Sequence, residues 1–168
     1  CKLVSSRDMQ GVELASALKN IYAICCGIAH AKLVGENALG FIVTRSMAEM
    51  SRFAVAKGAN PITFLGLAGM GDLMATCTSK LSRNFQLGEL IAEDLSLLEA
   101  KERVGQVAEG ARTLEVVYHE ARKMNVSMPL VNSLYEILYS DASSDQLIQD
   151  LLDHPNEVDV EFTYKEKL

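Results

Sequence analysis

Residues 66–84 combine backbone freedom with polar side chains between long apolar segments, so this segment is the first candidate for a functional site. Gly66, Gly69 and Gly71 permit a positive φ or the close approach of a ligand. Asp72 follows the last glycine directly, where it could cap a short helix or point its carboxylate inward. Because no strand pattern precedes these glycines, they do not form a dinucleotide-binding fingerprint. The segment indicates a binding turn, and its structural alternative is a capped loop.

An anion-binding helix terminus is predicted just after this turn. Ser82 precedes an apolar pattern with helical spacing and is a suitable N-cap. The N–H groups of Arg83 and Asn84 then have no partner within the helix, and the guanidinium adds a charge at the positive end of the helix dipole. Phosphate or carboxylate is the ligand that this arrangement favours.

A lysine inside an apolar helix is the second candidate. From Met9 to Leu33 apolar residues recur at helical spacing, and they extend almost around the helix in its second half. Lys19 and Asn20 interrupt that pattern, and a buried ammonium is destabilising unless it is paired or faces a water-filled cleft. Either Lys19 reaches the surface along its apolar stem, or it transfers a proton near neutral pH with Asp72 orienting it.

The elements that position these residues are predicted to be helices throughout. Glycine, proline and serine signals separate the apolar patterns. The predicted segments after the central helix are residues 36–57, a short helix opened by Asn60-Pro61, the helix after Ser82, residues 95–100, about 111–125, 129–139, and a last helix capped by Ser144. In the second helix the predicted core positions are Ala38, Phe41, Ile42, Met47, Met50, Phe53 and Ala54. We predict one all-α domain over residues 1–168, with residues 154–168 as a frayed tail.

Composition restricts the kinds of partner. The 168 residues are 49% hydrophobic, enough for a real core, and the net charge of −6 is spread without a basic run, which argues against nucleic acid or an anionic membrane. The longest apolar stretch, residues 21–29, is shorter than the ~20 residues of a membrane span. The four cysteines fit neither a metal site nor a disulfide framework and are predicted to be reduced thiols of a cytoplasmic protein. Without an initial Met or a signal pattern, we expect a fragment of a longer chain.

Four separated motifs carry a resemblance to a known family. They are Lys19-Asn20, Gly71-Asp72 with Thr76-Cys77, Ser82-Arg83-Asn84 and Val107-Ala108-Glu109-Gly110. In this order they resemble the C-terminal domain of bacterial NAD(P)-dependent glycerol-3-phosphate dehydrogenase, from about Gly11 to Tyr139. The resemblance implies a multi-helix substrate-binding domain of the 6-phosphogluconate dehydrogenase C-terminal-like type.

The resemblance also implies a reaction and its partners. The reaction is reversible hydride transfer between NAD or NADP and dihydroxyacetone phosphate, which gives sn-glycerol 3-phosphate for phospholipid synthesis in the cytoplasm. The dinucleotide would be held mainly by an N-terminal Rossmann domain that this chain lacks, so the chain alone is expected to be inactive. A homodimer is possible in such a family, and no metal is expected.

Residue roles follow from the same resemblance. Lys19 would exchange the proton at the substrate C2 oxygen, and Asp72 would hold Lys19 and contact a hydroxyl. The phosphate would be bound by Ser82, Arg83 and Asn84. The pocket lining would include Asn20 and Thr76, and the cofactor contacts would be Arg83, Val107 and Glu109. For Glu109, capping of the following helix is the structural alternative.

Two other functions remain open at this point. The helical domains of 3-hydroxyacid and 6-phosphogluconate-type dehydrogenases carry a catalytic Lys with an Asn four residues later, a position that Ala23 holds here. A non-catalytic helical interaction module would instead leave Lys19 exposed to solvent and Asp72 as a simple cap.

Overall fold

The chain folds as a set of helices around one central helix. The computed structural model describes residues 5–105, 107–140, 142–145 and 148–149. In chain order the elements are α1 (Met9–Ala31), α2 (Gly35–Ala56), a 3₁₀ helix (Pro61–Leu65), a π-helical turn (Leu67–Gly71), α3 (Asp72–Cys77), α4 (Arg83–Ala92), α5 (Leu97–Val104), α6 (Glu109–Lys123) and α7 (Pro129–Tyr139). No strand occurs within the described ranges, and the all-α prediction is confirmed.

The central helix α1 is the core of the fold. Asp8 caps it by accepting a hydrogen bond from the Gly11 N–H at 3.0 Å, and every residue from Ile21 to Ala29 is buried. It packs mainly against α2, α3, α4 and α6, and it also contacts α7. It ends at Ala31, two residues before the predicted end, because Leu33 adopts a left-handed φ of 56°.

By length and composition α1 also resembles a membrane span. The mean hydropathy of its most apolar 18 residues is 1.3. Of that window, however, 61% is buried inside the described part of the structure. Burial against neighbouring helices is what the core helix of a globular domain requires, and it produces the same apolar composition.

The crossing of α1 and α4 is unusually close because both helices have glycine at the contact. A Cβ at Gly27 would lie 2.0 Å from the Phe85 carbonyl oxygen, and a Cβ at Gly88 would lie 2.1 Å from the Ile24 carbonyl oxygen. Small residues let helix backbones approach in this way. The crossing fixes the height of the α4 N-terminus relative to the middle of α1, where Lys19 lies.

Helix α2 differs from the prediction at one core position and contains a buried acid. Phe41 was predicted to face the core, but 38% of it is exposed, and the Arg45 guanidinium lies 5.2 Å from its ring centre. Glu49 is buried instead, on the same stripe as Ile42 and Phe53. An acid at helical spacing within an apolar stripe is the sequence signal for such a residue.

Several helix boundaries differ from the prediction. The segment predicted at residues 95–100 begins later and continues through the polar Lys101-Glu102-Arg103 run, because Ser96 and Glu99 form a capping box that starts α5. Helix α6 begins at Glu109 rather than at Ala111. The helix predicted from Ser144 falls largely outside the described residues, and the tail 154–168 falls outside them entirely.

Candidate active site

An ion pair joins the central helix to the glycine-rich turn. Lys19 Nζ lies 2.5 Å from Asp72 Oδ2, with 18% of the lysine side chain and 36% of the aspartate side chain exposed. The lysine therefore neither reaches freely into solvent nor lies unpaired in the core. Asp72 does not act as a simple cap, since it is the first residue of α3 and its carboxylate points to α1. The arrangement contradicts the solvent-exposed Lys19 that an interaction module requires.

The turn before Asp72 depends on one close backbone approach. A Cβ at Gly69 would lie 2.2 Å from the Phe64 carbonyl oxygen, so only glycine fits between the π-helical turn and the 3₁₀ helix. Gly66 and Gly71 do not use the positive φ that glycine permits: φ is −88° at Gly66, which is extended, and −61° at Gly71, which is helical. Any residue can adopt these backbone angles.

Helix α3 positions the next predicted residue beside the ion pair. The Thr76 hydroxyl donates to the Asp72 carbonyl oxygen at 2.6 Å, one turn back along the helix. One residue further, a hydrogen bond with Cys26 and burial hold the pKa of the Cys77 thiol far above its usual range. Cys25, Cys26 and Cys77 are all free and buried, as predicted for reduced thiols, whereas Cys1 lies outside the described residues.

The predicted helix cap after the turn is present. Ser82 precedes α4, and its Oγ accepts a hydrogen bond from the Phe85 N–H at 3.4 Å. The N–H groups of Arg83 and Asn84 belong to the first turn and have no intrahelical acceptor. Arg83 is exposed, and within the described part of the chain no hydrogen bond or ion pair engages its guanidinium. Donors and positive charge are thus free at one helix terminus.

Three helices meet at a partly buried amide network. Asn84 Nδ2 donates to Asn20 Oδ1 at 3.0 Å, and the Gly110 N–H donates to Asn84 Oδ1 at 2.9 Å. The network joins α4 to α1 and to α6. It engages the Asn84 side chain within the protein, which leaves the backbone N–H of Asn84 as its contribution to an anion site.

The predicted cofactor residues lie at the start of α6. Val107 is 76% exposed, and Glu109 is exposed as the first residue of the helix. The capping alternative for Glu109 is not supported, because no side chain caps this helix. Since Gly110 contacts Asn20 and Asn84, this exposed segment lies beside the other candidate residues.

All nine predicted site residues thus lie on one connected path of contacts and chain neighbours. The path runs from Thr76 through Asp72 and Lys19 to Asn20, and then through Asn84 to two ends. At one end are Ser82 and Arg83, and at the other are Val107 and Glu109, which precede Gly110. An open cleft of 710 Å³ adjoins Asp72 and the glycine-rich turn. No cluster of metal-ligating side chains occurs among the residues that the structure describes.

Two acids, Asp8 and Glu49, accept hydrogen bonds from segments that are distant in the sequence. Asp8 accepts hydrogen bonds from the Thr63 hydroxyl at 2.7 Å and from the Asn60 N–H at 3.0 Å, in addition to capping α1. The Thr63 hydrogen bond is the main reason that the pKa of Asp8 is lowered. Glu49 accepts from the backbone N–H groups of Leu130 and Val131, at the start of α7. Long-range caps of this kind have no local sequence signal.

Comparison with known proteins yields a consistent set of relatives. A family model described as the C-terminus of NAD-dependent glycerol-3-phosphate dehydrogenase matches residues 8–149. Proteins named glycerol-3-phosphate dehydrogenase [NAD(P)+] from Alcanivorax borkumensis and Pseudomonas aeruginosa are 50% identical over 161 residues, which is 96% of this chain and 47% of each relative. The chain therefore spans about half the length of the curated relatives it matches.

Solved structures show the same fold. The crystal structure of glycerol-3-phosphate dehydrogenase from Coxiella burnetii matches with a TM-score of 0.86 and 38% identity, over 89% of this chain and 46% of that one. A Dunaliella salina protein, DsGPDH, matches with a TM-score of 0.76 over 87% of this chain and 27% of that one. At 23% identity the second match supports the fold alone.

Proposed function

Because the chain belongs to the family of NAD-dependent glycerol-3-phosphate dehydrogenase C-terminal domains, we propose that it is the substrate-binding and catalytic domain of such an enzyme. The reaction is the interconversion of dihydroxyacetone phosphate and sn-glycerol 3-phosphate with NAD(P)H. The observation that carries the proposal is the Lys19–Asp72 pair beside a helix N-terminus with a free arginine.

Lys19 is the proton donor in the direction of ketone reduction. The bound dinucleotide supplies the hydride, which goes to the C2 carbonyl carbon. The ammonium of Lys19 gives its proton to the C2 oxygen, and in the reverse direction the neutral amine takes that proton back. Asp72, 2.5 Å from Lys19 Nζ, fixes the direction of the ammonium. Since the lysine side chain is only 18% exposed, bulk water has limited access to the proton path.

The substrate phosphate binds at the start of α4. The guanidinium of Arg83 offers a charge-assisted, bidentate contact, and the N–H groups of the first helical turn add donors along the helix dipole. Ser82 contributes through its hydroxyl, while Asn84 contributes through its backbone N–H because its side chain is engaged. A phosphorylated triose then has its C2 oxygen directed toward Lys19.

The cofactor fits the exposed edge of the site. Val107 and Glu109 are exposed, and Arg83 has no partner within the described residues, so all three can contact a dinucleotide approaching from outside the domain. In this proposal these three residues would hold the dinucleotide together with a Rossmann domain in the remaining half of the full-length protein. The isolated chain is expected to be inactive for the same reason.

The proposal also covers the use of the product, the cellular location and the oligomeric state. A product of this reaction is a precursor for phospholipid synthesis, and the free buried thiols agree with a reducing cytoplasm. We propose a cytoplasmic protein in which α1 does not span a membrane, because α1 packs as a core helix against five other helices. A homodimer of the full-length enzyme is compatible with this placement.

The rival dehydrogenase type is less favoured by the site. It needs an amide four residues after the catalytic lysine, but Ala23 holds that position and is fully buried. The amide beside Lys19 comes instead from Asn20, which is partly exposed and hydrogen-bonded to Asn84.

The proposal is tested with the full-length protein and two substrates. We expect oxidation of NADH or NADPH with dihydroxyacetone phosphate, and much slower oxidation with unphosphorylated dihydroxyacetone at the same concentration. Equal rates with the two substrates would reject the phosphate site. A folded protein without activity on either substrate, with both cofactors, would reject the reaction itself.

A further inference from the structure

The partly buried amide network beside Lys19 begins at a backbone group that can only donate. The N–H of Gly110 points at Asn84 Oδ1 from 2.9 Å, so the Asn84 amide must turn its oxygen toward Gly110. Its NH₂ group then faces Asn20, which must present its own oxygen at 3.0 Å. One fixed donor therefore sets the orientation of two side-chain amides that could otherwise flip.

This orientation decides which group Asn20 can offer to a ligand. With its oxygen held by Asn84, the Asn20 amide keeps its NH₂ group on the opposite side. One of these N–H bonds points to the Ser16 carbonyl oxygen at 3.3 Å. The other N–H bond has no acceptor among the described residues and can donate to an oxygen of a bound substrate. A flipped amide would set its oxygen against the Ser16 carbonyl oxygen and its NH₂ group against the NH₂ group of Asn84.

Glycine is required where the network begins. A Cβ at position 110 would lie 2.5 Å from the Asn20 carbonyl oxygen and 2.7 Å from Asn84 Oδ1. Both neighbours are fixed, one as helix backbone and the other as a buried side chain. Neither can move without displacing Asn20 or breaking the hydrogen bond that orients it.

We propose that Gly110 is a positioning residue of the substrate site, which acts through Asn84 to hold the Asn20 amide as a hydrogen-bond donor beside Lys19. The inference rests on the proposed function and deepens it. Gly110 itself contacts neither substrate nor reacting atoms. It acts by fixing which group donates and which accepts in two hydrogen bonds, from Gly110 to Asn84 and from Asn84 to Asn20.

The test is a set of double-mutant cycles in the full-length enzyme, measured as kcat and KM for dihydroxyacetone phosphate. Asn84→Asp keeps the acceptor for Gly110 but removes the donor to Asn20, so it should lower kcat/KM about tenfold. In an Asn20→Ala background, where no amide remains to be oriented, the same change should lower it less than about threefold. Gly110→Ala should follow the same pattern.

If Asn84→Asp lowers kcat/KM by the same factor in the wild type and in Asn20→Ala, the proposal is overturned. Such a loss would come from a damaged fold or from a negative charge near the phosphate, since both act whether or not Asn20 is present. Unphosphorylated dihydroxyacetone is a control for repulsion between the new carboxylate and the substrate phosphate. With this substrate Asn84→Asp should still lower kcat/KM. Gly40→Ala is the matched control: Gly40 is a helical glycine with nothing within 4 Å of an added Cβ, and the change should leave kcat/KM unaltered. If Gly110→Ala does not fold, the Asn84→Asp cycle decides.

A second measurement separates this inference from the reaction. In full-length protein labelled with ¹⁵N-asparagine, the side-chain NH₂ signals of Asn20 should shift in Asn84→Asp and stay in place in Gly40→Ala. If the wild-type enzyme does not reduce dihydroxyacetone phosphate but these shifts occur, the proposed function fails and the orienting network stands. Unmoved Asn20 signals in Asn84→Asp would reject the network.

Discussion

At the scale of single residues, the site depends on a lysine that is both paired and accessible. A lysine in an apolar helix would be destabilising without a partner, and Asp72 supplies that partner from a different element. Both side chains are partly exposed, so the pair can meet a substrate without first breaking a buried contact. A proton donor needs this combination of a fixed direction and an open face.

Asp72→Asn tests the orienting role of the carboxylate. The amide keeps the shape of the side chain but loses the charge, so the Lys19 ammonium is held less firmly. We expect kcat to fall by roughly one to two orders of magnitude, with a smaller change in KM. Glu120→Gln is the control, because it weakens the Lys57–Glu120 pair, 2.8 Å long, without touching the site. A loss of the same size in the control would point to general destabilisation.

Arg83→Ala tests the phosphate contact. Removing the guanidinium should raise KM for dihydroxyacetone phosphate by about tenfold to a hundredfold, which corresponds to one charge-assisted hydrogen-bonded contact. The KM for unphosphorylated dihydroxyacetone should stay nearly constant. Arg103→Ala, at an exposed arginine of α5, is the matched control. An unchanged KM for the phosphorylated substrate in Arg83→Ala would remove Arg83 from the phosphate site.

At the scale of elements, the crossing of α1 and α4 sets the distance between the proposed proton donor and the proposed phosphate site. Lys19 lies on α1, and the proposed anion-binding turn is the first turn of α4. Gly27 and Gly88 allow the two backbones to touch, so neither helix can slide without a steric conflict. The geometry of the site is therefore a property of helix packing as well as of its side chains.

Gly88→Ala tests whether the site depends on the close crossing of α1 and α4. The added methyl group would lie 2.1 Å from the Ile24 carbonyl oxygen, so the helices must separate. We expect a loss of about 1–3 kcal/mol in the free energy of unfolding, together with a lower kcat/KM. Gly40→Ala, in an open part of α2, should instead be neutral or stabilising by up to about 1 kcal/mol. Thermal unfolding of both variants is the measurement, and equal melting temperatures would contradict the close crossing.

The buried Glu49 ties α7 to α1 and α2 and predicts a pH dependence. Burial raises the pKa of Glu49 to about 7 from an ordinary 4.5, despite hydrogen bonds from Leu130, Val131 and Tyr22. A raised folded-state pKa means that the folded chain binds this proton more tightly than the unfolded chain. The stabilisation is therefore complete below about pH 4.5 and is lost as the pH rises through about 7, with a magnitude of about 3 kcal/mol.

Glu49→Gln tests this assignment, because glutamine keeps an acceptor for the α7 N–H groups and does not titrate. Relative to the wild type, the variant should gain stability by up to about 3 kcal/mol between pH 4.5 and pH 8. Chemical unfolding at closely spaced pH values measures this difference. A difference that does not change with pH would contradict the titration of Glu49 in this range.

At the scale of the whole molecule, local signals predicted the all-α fold, and the candidate site residues that they singled out lie close together in it. The periodicity of α1, the Ser82 cap and the Asn60-Pro61 turn each specify their own segment, and the structure agrees with them. The ion pair of Lys19 and Asp72 was also expected, because a lysine among apolar residues needs a partner.

What the sequence could not provide were contacts between distant segments. The Gly27–Gly88 crossing, the cap that Glu49 gives to α7 and the donor that Gly110 gives to Asn84 join residues 26 to 82 positions apart. No local pattern encodes such pairings. The prediction that Phe41 faces the core was wrong for a related reason. The helical spacing of apolar residues does not show which of them lie beyond the packed core.

If Lys19 exchanges the proton at the substrate C2 oxygen, its removal must slow the reaction, which the kcat of Lys19→Ala in the full-length enzyme measures, with and without an added primary amine. We expect kcat to fall by about 10² to 10⁴ with a nearly unchanged melting temperature. We also expect partial recovery when a small alkylammonium ion occupies the space of the missing side chain. A kcat close to that of the wild type, in a variant that folds normally, would exclude Lys19 as the proton donor.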